Sequence, residues 1–399
     1  MANKPRIRFR GFTEDWEQRK LGDLYKRVNE RNDGTLGRDK WISVAKMYFQ
    51  DPDKVQSNNL DTRTYVMKKG DIAFEGHPNN EFKFGRFVLN DIGTGIISEL
   101  FPIYRPITEY DLDFWKYAIQ LERVMAPILA KSITSSGNSS NKLDHNHFLN
   151  KELLVPNIEE QKKIGTLLSL LSKNITLHQC KLKKLNLAKK SLLQKLFPRN
   201  GSQIPGVRFK GFTDAWEQRK LGDLAEIVRG ASPRPISDSK WFDNNSDVGW
   251  LRISDVTAQD GRIQYLEQKI SKLGQDKTRV VKTPHLLLSI AATVGKPVIN
   301  YVPTGVHDGF LIFLNPKFNI LYAFWWLEIF REEWNKYGQP GSQVNLNSDL
   351  VKNQVINIPN EKEQEKISSF LEALDRIITL HQQEPFLCGN SVNGGVELC

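Results

Sequence analysis

The sequence is poor in cysteine, and its apolar residues form no long run. Only three of the 399 residues are cysteines, at positions 180, 388 and 399, and no two of them have zinc-ligand spacing. This excludes a disulfide framework and favours a reducing compartment. The N-terminal residues MANKPRIRFR have no apolar segment after their charges, and no stretch of 18 apolar residues occurs. We therefore expect a cytoplasmic protein with neither a secretory signal nor a transmembrane helix.

Recognisable catalytic motifs are also missing. Gly295-Lys296 resembles part of a phosphate-binding loop, but Ile290 stands where that loop needs glycine and Pro297 where it needs serine or threonine. The His-x-His spacing at 145–147 is more typical of a loop than of a metal site. The sequence contains no Asn-Pro-Pro-aromatic motif of the kind found in amino-methyltransferases. We expect this chain to hold no catalytic residue, no metal and no cofactor of its own.

Aromatic residues and basic charge are plentiful. Trp, Tyr and Phe number 9, 10 and 21, and hydrophobic residues make up 39% of the chain, which is enough for folded cores. The formal net charge is +10. A basic balance of this size makes a polyanionic partner plausible, without choosing between nucleic acid and a membrane surface.

The strongest signal is an internal duplication. Residues 8–24 (RFRGFTEDWEQRKLGDL) and 208–224 (RFKGFTDAWEQRKLGDL) are identical at 14 of 17 positions. A second pair of similar segments begins at Pro156 and Pro359. Both contain the sequence ITLHQ, at 175–179 in the first segment and at 378–382 in the second. Between these shared blocks, residues 25–153 and 225–357 have almost no identity. Drift alone erodes a repeat more evenly, so we expect shared parts with a common mechanical role and divergent bodies with separate recognition roles.

This layout predicts two globular domains of the α+β class, each followed by a helix. We place the first domain at 1–155, its helix at 156–200, the second domain at 201–357, its helix at 358–383 and an aberrant, disordered tail at 384–399. In the bodies, the segments 67–76 and 280–299 read as a turn followed by a buried strand.

Each helix has apolar residues at alternating steps of four and three, which is a heptad pattern. The first helix is expected from Glu159 to Phe197, a length of roughly 58 Å at ~1.5 Å per residue. We expect it to pair with the second helix as an antiparallel coiled coil. The predicted helix-pair seam consists of Ile164, Leu168, Leu171, Ile175, Leu182, Leu185, Ile367, Leu371, Leu374 and Ile378.

The second helix should end early, because Pro385 occupies its next seam position and a proline is incompatible with a helix interior. We expect the end near Gln383. The part of the first seam that runs through Leu182, Leu185, Leu192 and Leu196 should then lack an intramolecular partner. Residues 179–199 also carry seven basic side chains and no acidic one, which suits either a solvated face or an acidic or phosphate surface.

Small polar segments in the bodies are candidates for reading DNA. Those at 131–148 and 337–350 are rich in Ser, Asn, Gly and Gln, which suits base-edge contacts and is also ordinary loop composition. The predicted DNA-binding residues are Lys46, Asn79, Asn80, Lys83, Arg86, Ser135, Ser136, Asn138, Asn141, Lys142, Ser289, Thr293, Lys296, Gln339, Ser342, Gln343, Asn345 and Asn347.

The paired GFTxxWEQRKLGDL openings, the paired PxxxEQxKI helix starts, LLLSIAATVGKP and SQVNLNSDL together resemble the specificity subunit of type I restriction-modification systems, especially Gram-positive members. This resemblance covers residues 5–383. It implies two target-recognition domains that each read one half of a split double-stranded DNA site. It also implies partners: two modification subunits that methylate adenine and two restriction subunits that translocate and cleave. S-adenosylmethionine, ATP and magnesium would be used by those partners.

Two other classes stay open. A self-contained nuclease or methyltransferase would show activity as a purified chain. A coiled-coil adaptor between proteins would use the basic helix on an acidic partner and would not read DNA bases.

Overall fold

A computed structural model of the chain describes residues 5–55, 63–136, 140–199, 201–290, 293–337 and 346–387. The chain divides into two compact units, with one boundary between Gln179 and Cys180, inside a long helix, and a second between Glu384 and Pro385. Within the described ranges, every helix is too short or too polar to cross a lipid bilayer.

The first unit combines short strands with five helices among its described residues. Its strands are β1 (Glu17–Lys20), β2 (Tyr25–Val28), β3 (Ile42–Ser43), β4 (Tyr48–Phe49), β5 (Thr64–Met67), β6 (Ile72–Glu75), β7 (Arg86–Leu89), β8 (Gly95–Ser98), β9 (Ile103–Pro106), β10 (Ile133–Ser136), β11 (Asn141–Leu143) and β12 (Glu152–Val155). Its helices are α1 (Leu21–Leu24), α2 (Leu112–Ala118), α3 (Glu122–Ala130), α4 (His145–Leu149) and the start of α5 (Ile158–Leu196). An antiparallel four-stranded sheet in the order β2-β9-β6-β7 forms its centre.

The second unit repeats this plan with a larger sheet. Its strands are β13 (Glu217–Lys220), β14 (Glu226–Arg229), β15 (Gly249–Trp250), β16 (Arg262–Ile263), β17 (Arg279–Val281), β18 (Leu286–Ser289), β19 (Pro297–Asn300), β20 (Thr304–Val306), β21 (Phe310–Leu314) and β22 (Val355–Ile358). Its helices are α6 (Leu221–Leu224), α7 (Ile253–Ala258), α8 (Lys272–Gln275), α9 (Ile320–Phe330), α10 (Ser348–Lys352) and α11 (Glu361–Leu387). The main sheet runs β14-β21-β18-β19-β16.

The central strands are apolar on both faces because each face has its own core. Leu286 and Leu288 of β18 join the cluster that contains α9, whereas Leu287 between them packs against Val298 and Ile312 on the other face. This is the alternation that a pleated strand imposes. The run LLLS is therefore a strand buried on both sides, and the predicted α+β class is confirmed.

The shared sequence blocks build the same ion pair in both units. Arg8 donates two hydrogen bonds of 2.7 Å to Glu160, and Arg208 donates two of 2.7 and 2.8 Å to Glu363. Both carboxylates are about 1% exposed. Hydrogen bonding to the carboxylate raises the pKa of each guanidinium above its ordinary value. The near-identical openings thus attach each domain to the helix that follows it.

A glutamine completes this attachment in each copy. The side chain of Gln161 donates to the carbonyl of Pro156 at 3.0 Å and accepts from the backbone N–H of Asp111, the N-cap of α2, at 3.2 Å. Gln364 makes the same two bonds, to Pro359 at 2.8 Å and from the N-cap of α9 at 2.9 Å. We call each set of arginine, glutamate and glutamine a clasp.

Helix α5 has the 39 residues expected of it and is shifted by one residue, to Ile158–Leu196. The environment predicted for Leu192 and Leu196, near the end of α5, differs from the observed one. Leu196 and Phe197 are each 3% exposed within the core of the second unit, and Leu192 packs against the same core. The expectation that Leu192 and Leu196 lack an intramolecular partner is wrong, because the end of α5 is a core element of the second domain.

The predicted seam positions fall into different environments. Ile164 packs against the core of the first unit, and Ile367 and Leu371 belong to the core of the second, so these three serve their own domains. Ile378 is buried, whereas Leu168, Leu182, Leu185 and Leu374 are half-buried. Leu171 and Ile175 are 49% and 54% exposed.

Helix α11 runs to Leu387, so the expected end near Gln383 is wrong by one turn. Pro385 lies in the final turn, where a proline removes one backbone hydrogen bond without interrupting a longer helix. Residues 388–399 lie outside the described residues, and the proposed aberrant tail falls largely on them.

Replacing Leu192 with alanine is expected to lower the free energy of unfolding by about 1–2 kcal/mol, because part of its side chain would lose contact with the second core. Leu187 is 68% exposed on the same helix and provides a matched control that should change stability by less than about 0.5 kcal/mol. Chemical denaturation of the two variants measures the difference. Equal effects would contradict the place assigned to the end of α5.

Candidate nucleic-acid interface

The β6–β7 hairpin carries several predicted DNA-binding residues on the loop 76–85. Asn80 and Lys83 are exposed there. Asn79 is also exposed, but its side-chain oxygen accepts from the backbone N–H groups of Glu81 and Phe82, both at 2.9 Å. Asn79 therefore shapes the turn and leaves its amide donors available, whereas Asn80 and Lys83 present whole side chains.

Arg86 connects this loop to a neighbouring turn. Its Nε donates to Glu75 at 2.9 Å, and its Nη2 donates to the backbone carbonyl of Ala45 at 2.7 Å. The side chain is 21% exposed. These contacts give Arg86 a positioning role, and its role in DNA binding stays a prediction. It holds the turn that bears the exposed Lys46 beside the hairpin.

The β10–β11 hairpin packs against the same loop. The backbone N–H of Asn141 donates to the carbonyl of Gly76 at 2.8 Å, and a Cβ on Gly76 would lie 2.2 Å from the carbonyl oxygen of Asn141. Only glycine permits this approach. It brings the half-buried Asn141 and the exposed Lys142 to the β6–β7 loop.

We call residues 45–47, 76–86 and 140–142 the first loop cluster. It unites Lys46, Asn79, Asn80, Lys83, Arg86, Asn141 and Lys142 of the predicted set. Ser135 and Ser136 lie on β10, but the placement of their side chains is outside the described structure, as is Asn138. Small polar side chains and lysines on adjoining hairpins suit base-edge and phosphate contacts respectively.

In the second unit, the predicted residues around the β18–β19 hairpin have structural roles. Ser289 is 0% exposed at the end of β18, a position that disfavours its predicted contact with DNA. Thr293 is half-buried, 3.5 Å from the Ser289 hydroxyl. Lys296 is 12% exposed, and its ammonium contacts Glu328 and lies 2.6 Å from Asp260. These ion pairs disfavour the predicted contact of Lys296 with DNA.

The electrostatics of Lys296 fit this internal role. Burial alone would lower the pKa of its ammonium, but the carboxylates of Glu328 and Asp260 raise the pKa above its ordinary value. The lysine is therefore charged and neutralised within the protein. Gly295 beside it, at φ +77°, packs under Trp334, where a Cβ would lie 2.4 Å from the indole.

The remaining predicted residues of this domain lie near α10. Asn347 is the N-cap of α10, and its side-chain oxygen accepts from the backbone N–H of Leu350 at 2.8 Å. Its side-chain oxygen therefore caps the helix, its amide donors remain available, and its role in DNA binding stays a prediction. Gln339, Ser342, Gln343 and Asn345 lie outside the described residues.

Sequence reasoning missed an arginine group on the second unit. Arg234 is 75% exposed and lies 2.7 Å from Asp308, and Arg229 donates to the Asp308 carbonyl at 2.6 Å. Arg279 donates to the carbonyl of Arg229 at 2.9 Å. The sequence VRGASPR was a usable signal, because two arginines flank the short segment Gly-Ala-Ser-Pro. Such a group can bind phosphate oxygens.

Metal coordination finds no support in the part of the chain that the structure describes, since no three His, Cys, Asp or Glu side chains are grouped to hold an ion. His145, from the His-x-His pair, shares a hydrogen bond of 2.6 Å with the hydroxyl of Tyr104. Burial lowers the pKa of His145 below its ordinary value.

Comparison with known proteins supports the expected family. The family model described as "Type I restriction modification DNA specificity domain" matches residues 213–386, which include the second variable body and the clasp residues Glu363 and Gln364. Residues 213–386 thus form a domain of this family, which supports the expected function of the chain as a specificity subunit. The first half of this specificity subunit repeats the openings and the clasp of the matched half.

Two curated relatives come from Methanocaldococcus jannaschii. The type I restriction enzyme MjaVIII specificity subunit is 22% identical over 396 residues, covering 93% of this chain and 88% of the relative. The putative type I restriction enzyme MjaX specificity subunit is 22% identical over 406 residues, covering 93% and 89%. The expected family is thus confirmed, while the Gram-positive detail stays a prediction.

Solved structures share the fold of this specificity subunit. The S subunit of a type I restriction-modification system from M. genitalium matches with a TM-score of 0.54 at 13% identity, over 93% of this chain and 92% of that one. A chain from a study of complex assembly and conformational transition of the type I R-M system matches with a TM-score of 0.52 at 17% identity, over 92% of both chains.

Proposed function

We propose that this specificity subunit reads an asymmetric, bipartite site on double-stranded DNA, with one half-site for each domain. The observation that carries the proposal is the contrast within the repeat. The hydrogen-bond lengths of the two clasps agree to within a few tenths of an ångström, whereas the bodies 25–153 and 225–357 share almost no sequence. Two different readers on one repeated frame suit a target without two-fold symmetry.

The first loop cluster supplies both kinds of contact that such a reader needs. Lys46, Lys83 and Lys142 are exposed and can neutralise phosphates, while Asn80 can pair with a base edge. In the second domain, Arg234 and its neighbours would contact phosphates. We propose that segment 338–345 reads the bases in that domain, because it is rich in Gln, Ser and Asn.

Chemistry on the DNA would belong to partner subunits. We propose two modification subunits, which methylate adenine with S-adenosylmethionine, and two restriction subunits, which use ATP and magnesium to translocate and cleave. The whole assembly would act in the cytoplasm. We further propose that α5 and α11 form an antiparallel pair that fixes the distance between half-sites, supported by the heptad pattern of both helices.

Replacing Lys46 and Lys83 together with alanine should weaken DNA binding about equally for every sequence. Each phosphate contact that is lost lowers the slope of log affinity against log salt by about one, so the double variant should lose about two. The measurement is a salt titration of DNA binding by the complex with modification subunits.

Lys162→Ala is the control, because this exposed lysine lies near the start of α5, is not a residue of the first loop cluster, and pairs with Glu159 at 3.0 Å. A slope that stays unchanged in the double variant would remove the first loop cluster from the DNA interface. Binding by the wild-type complex that shows no preference among sequences would instead favour the adaptor function.

A further inference from the structure

The first domain has an apolar groove of 490 Å³ between its opening segment, α2 and the start of α5. Its lining includes Trp16, Phe114, Leu121, Leu153 and Leu168. The groove lies wholly within the first unit, at the junction that the clasp holds together. It has no part in the first loop cluster.

The internal repeat identifies the equivalent surface in the second domain. The clasp glutamines accept from the backbone of residues 111 and 319, which places Tyr322 at the position of Phe114. Strand pairing places Ile356 at the position of Leu153, since Glu17 pairs with Val155 and Glu217 with Ile358. Trp216 and Leu371 correspond to Trp16 and Leu168 through the shared blocks.

In the second domain this surface is covered by the end of α5. The ring of Phe197 lies 6.2 Å from that of Trp216 and 5.4 Å from that of Tyr322. The backbone of the same segment is fixed as well, because the N–H of Val207 donates to the carbonyl of Lys195 at 2.9 Å. The covering segment is the sequence SLLQKLF at 191–197.

The apolar side chains of this surface are more deeply buried in the second domain than in the first, as expected if the end of α5 covers only the second. Trp216 is 1% exposed, and Ile356 and Leu371 are 0% exposed. Their counterparts Trp16, Leu153 and Leu168 are only half-buried. The first groove thus presents the apolar surface that SLLQKLF covers in the second domain.

The second repeat of this chain does not encode a matching segment. At the offset of 203 residues that relates the two helices, Leu182, Leu185 and Leu192 are replaced by Pro385, Cys388 and Gly395. In further copies of this chain, SLLQKLF is buried in the second domain and is not free to dock elsewhere.

We propose that the first groove binds, in trans, a basic amphipathic helix ending in Leu-Leu-x-x-Leu-Phe, supplied by a different specificity-type chain. The bound helix would cover the first groove in the same way that the end of α5 covers the equivalent surface of the second domain. This inference concerns assembly and does not depend on which DNA sequence the loops read, so either proposal can fail alone.

The test uses the full chain and a fluorescent peptide of residues 181–199, KLKKLNLAKKSLLQKLFPR. Fluorescence anisotropy should show saturable binding of one peptide per chain. A peptide carrying Leu196→Ala and Phe197→Ala should bind at least about tenfold more weakly, because two buried apolar side chains are lost. A peptide carrying Leu187→Ala has the same charge and should bind within about twofold of the wild type, because Leu187 is exposed on α5.

A matched pair of protein variants locates the site. Leu121 lines the groove and is 42% exposed, so Leu121→Arg can block the groove without removing a core residue, and it should weaken binding at least about tenfold. Leu100 is 82% exposed outside the groove, and Leu100→Arg should leave binding unchanged. Circular dichroism of both variants checks that they are folded.

Three results would overturn the proposal. The first is absence of peptide binding. Binding that is unchanged by Leu121→Arg in the protein, or by Leu196→Ala with Phe197→Ala in the peptide, counts in the same way. The second is binding only after removal of residues 388–399, which would make the chain's own terminus the occupant. The third is a dimeric wild-type chain that becomes monomeric with Leu121→Arg, which would make a second copy the occupant.

Discussion

Exchanging residues 25–153 for the equivalent body of another specificity subunit is expected to change one half of the methylated DNA target and to leave the other half unchanged. The exchanged body contains the whole first loop cluster. The clasp residues Arg8, Glu160 and Gln161 lie outside it and are retained. Gln161 binds a backbone N–H at residue 111, which any body supplies whatever its side chains.

The expected change is large because each mismatched base pair costs about 1–3 kcal/mol, so several new base contacts abolish recognition of the old half-site. Sequencing of methylated adenines in cells that carry the chimaera and its modification partner gives the new target. Exchange of residues 225–357 is the matched experiment and should change only the opposite half. Simultaneous change of both halves in either chimaera would refute the division of labour between domains.

Replacing Arg208 with alanine is expected to lower the stability of the second unit by about 3–5 kcal/mol. The substitution leaves Glu363, about 1% exposed, as a buried charge without its guanidinium partner. Combining it with Glu363→Gln removes that charge and should recover part of the loss. Thermal denaturation of the three proteins, followed by circular dichroism, measures the order of stability.

Arg219 provides the control for this experiment. It lies in the same shared block, is 37% exposed and contacts Glu217 at 3.3 Å, so Arg219→Ala should cost less than about 1 kcal/mol. If the Arg208 and Arg219 variants melt alike, the clasp does not hold the second domain to its helix.

The repeat and the long helix could be predicted from sequence. The repeat appears when the chain is compared with itself, and the helix appears as a pattern within one segment. Identity between 8–24 and 208–224 needs no structure, and the heptad pattern located α5 to within one residue at each end. The pattern could not identify the partner of each leucine. Leu196 fits a helix–helix seam and a domain core equally well, because both require the same apolar spacing.

The site residues were harder to predict because their roles depend on distant parts of the chain. Lys296 follows an apolar strand like a loop lysine, yet Asp260 and Glu328 converge on it from 36 and 32 residues away. Arg86 is held by a carbonyl 41 residues distant in sequence. Lys46, Lys83 and Lys142 are exposed, as a contact with DNA requires, and their role in DNA binding stays a prediction.

The most direct test of the central claim is the sequence motif that is methylated in DNA when this chain is expressed with its modification partner. We expect a motif of two specified parts separated by an unspecified spacer, with the two parts unrelated by two-fold symmetry. Omission of this chain should abolish methylation at that motif. A continuous or palindromic motif, or methylation that persists without this chain, would contradict the account of two different readers on one repeated frame.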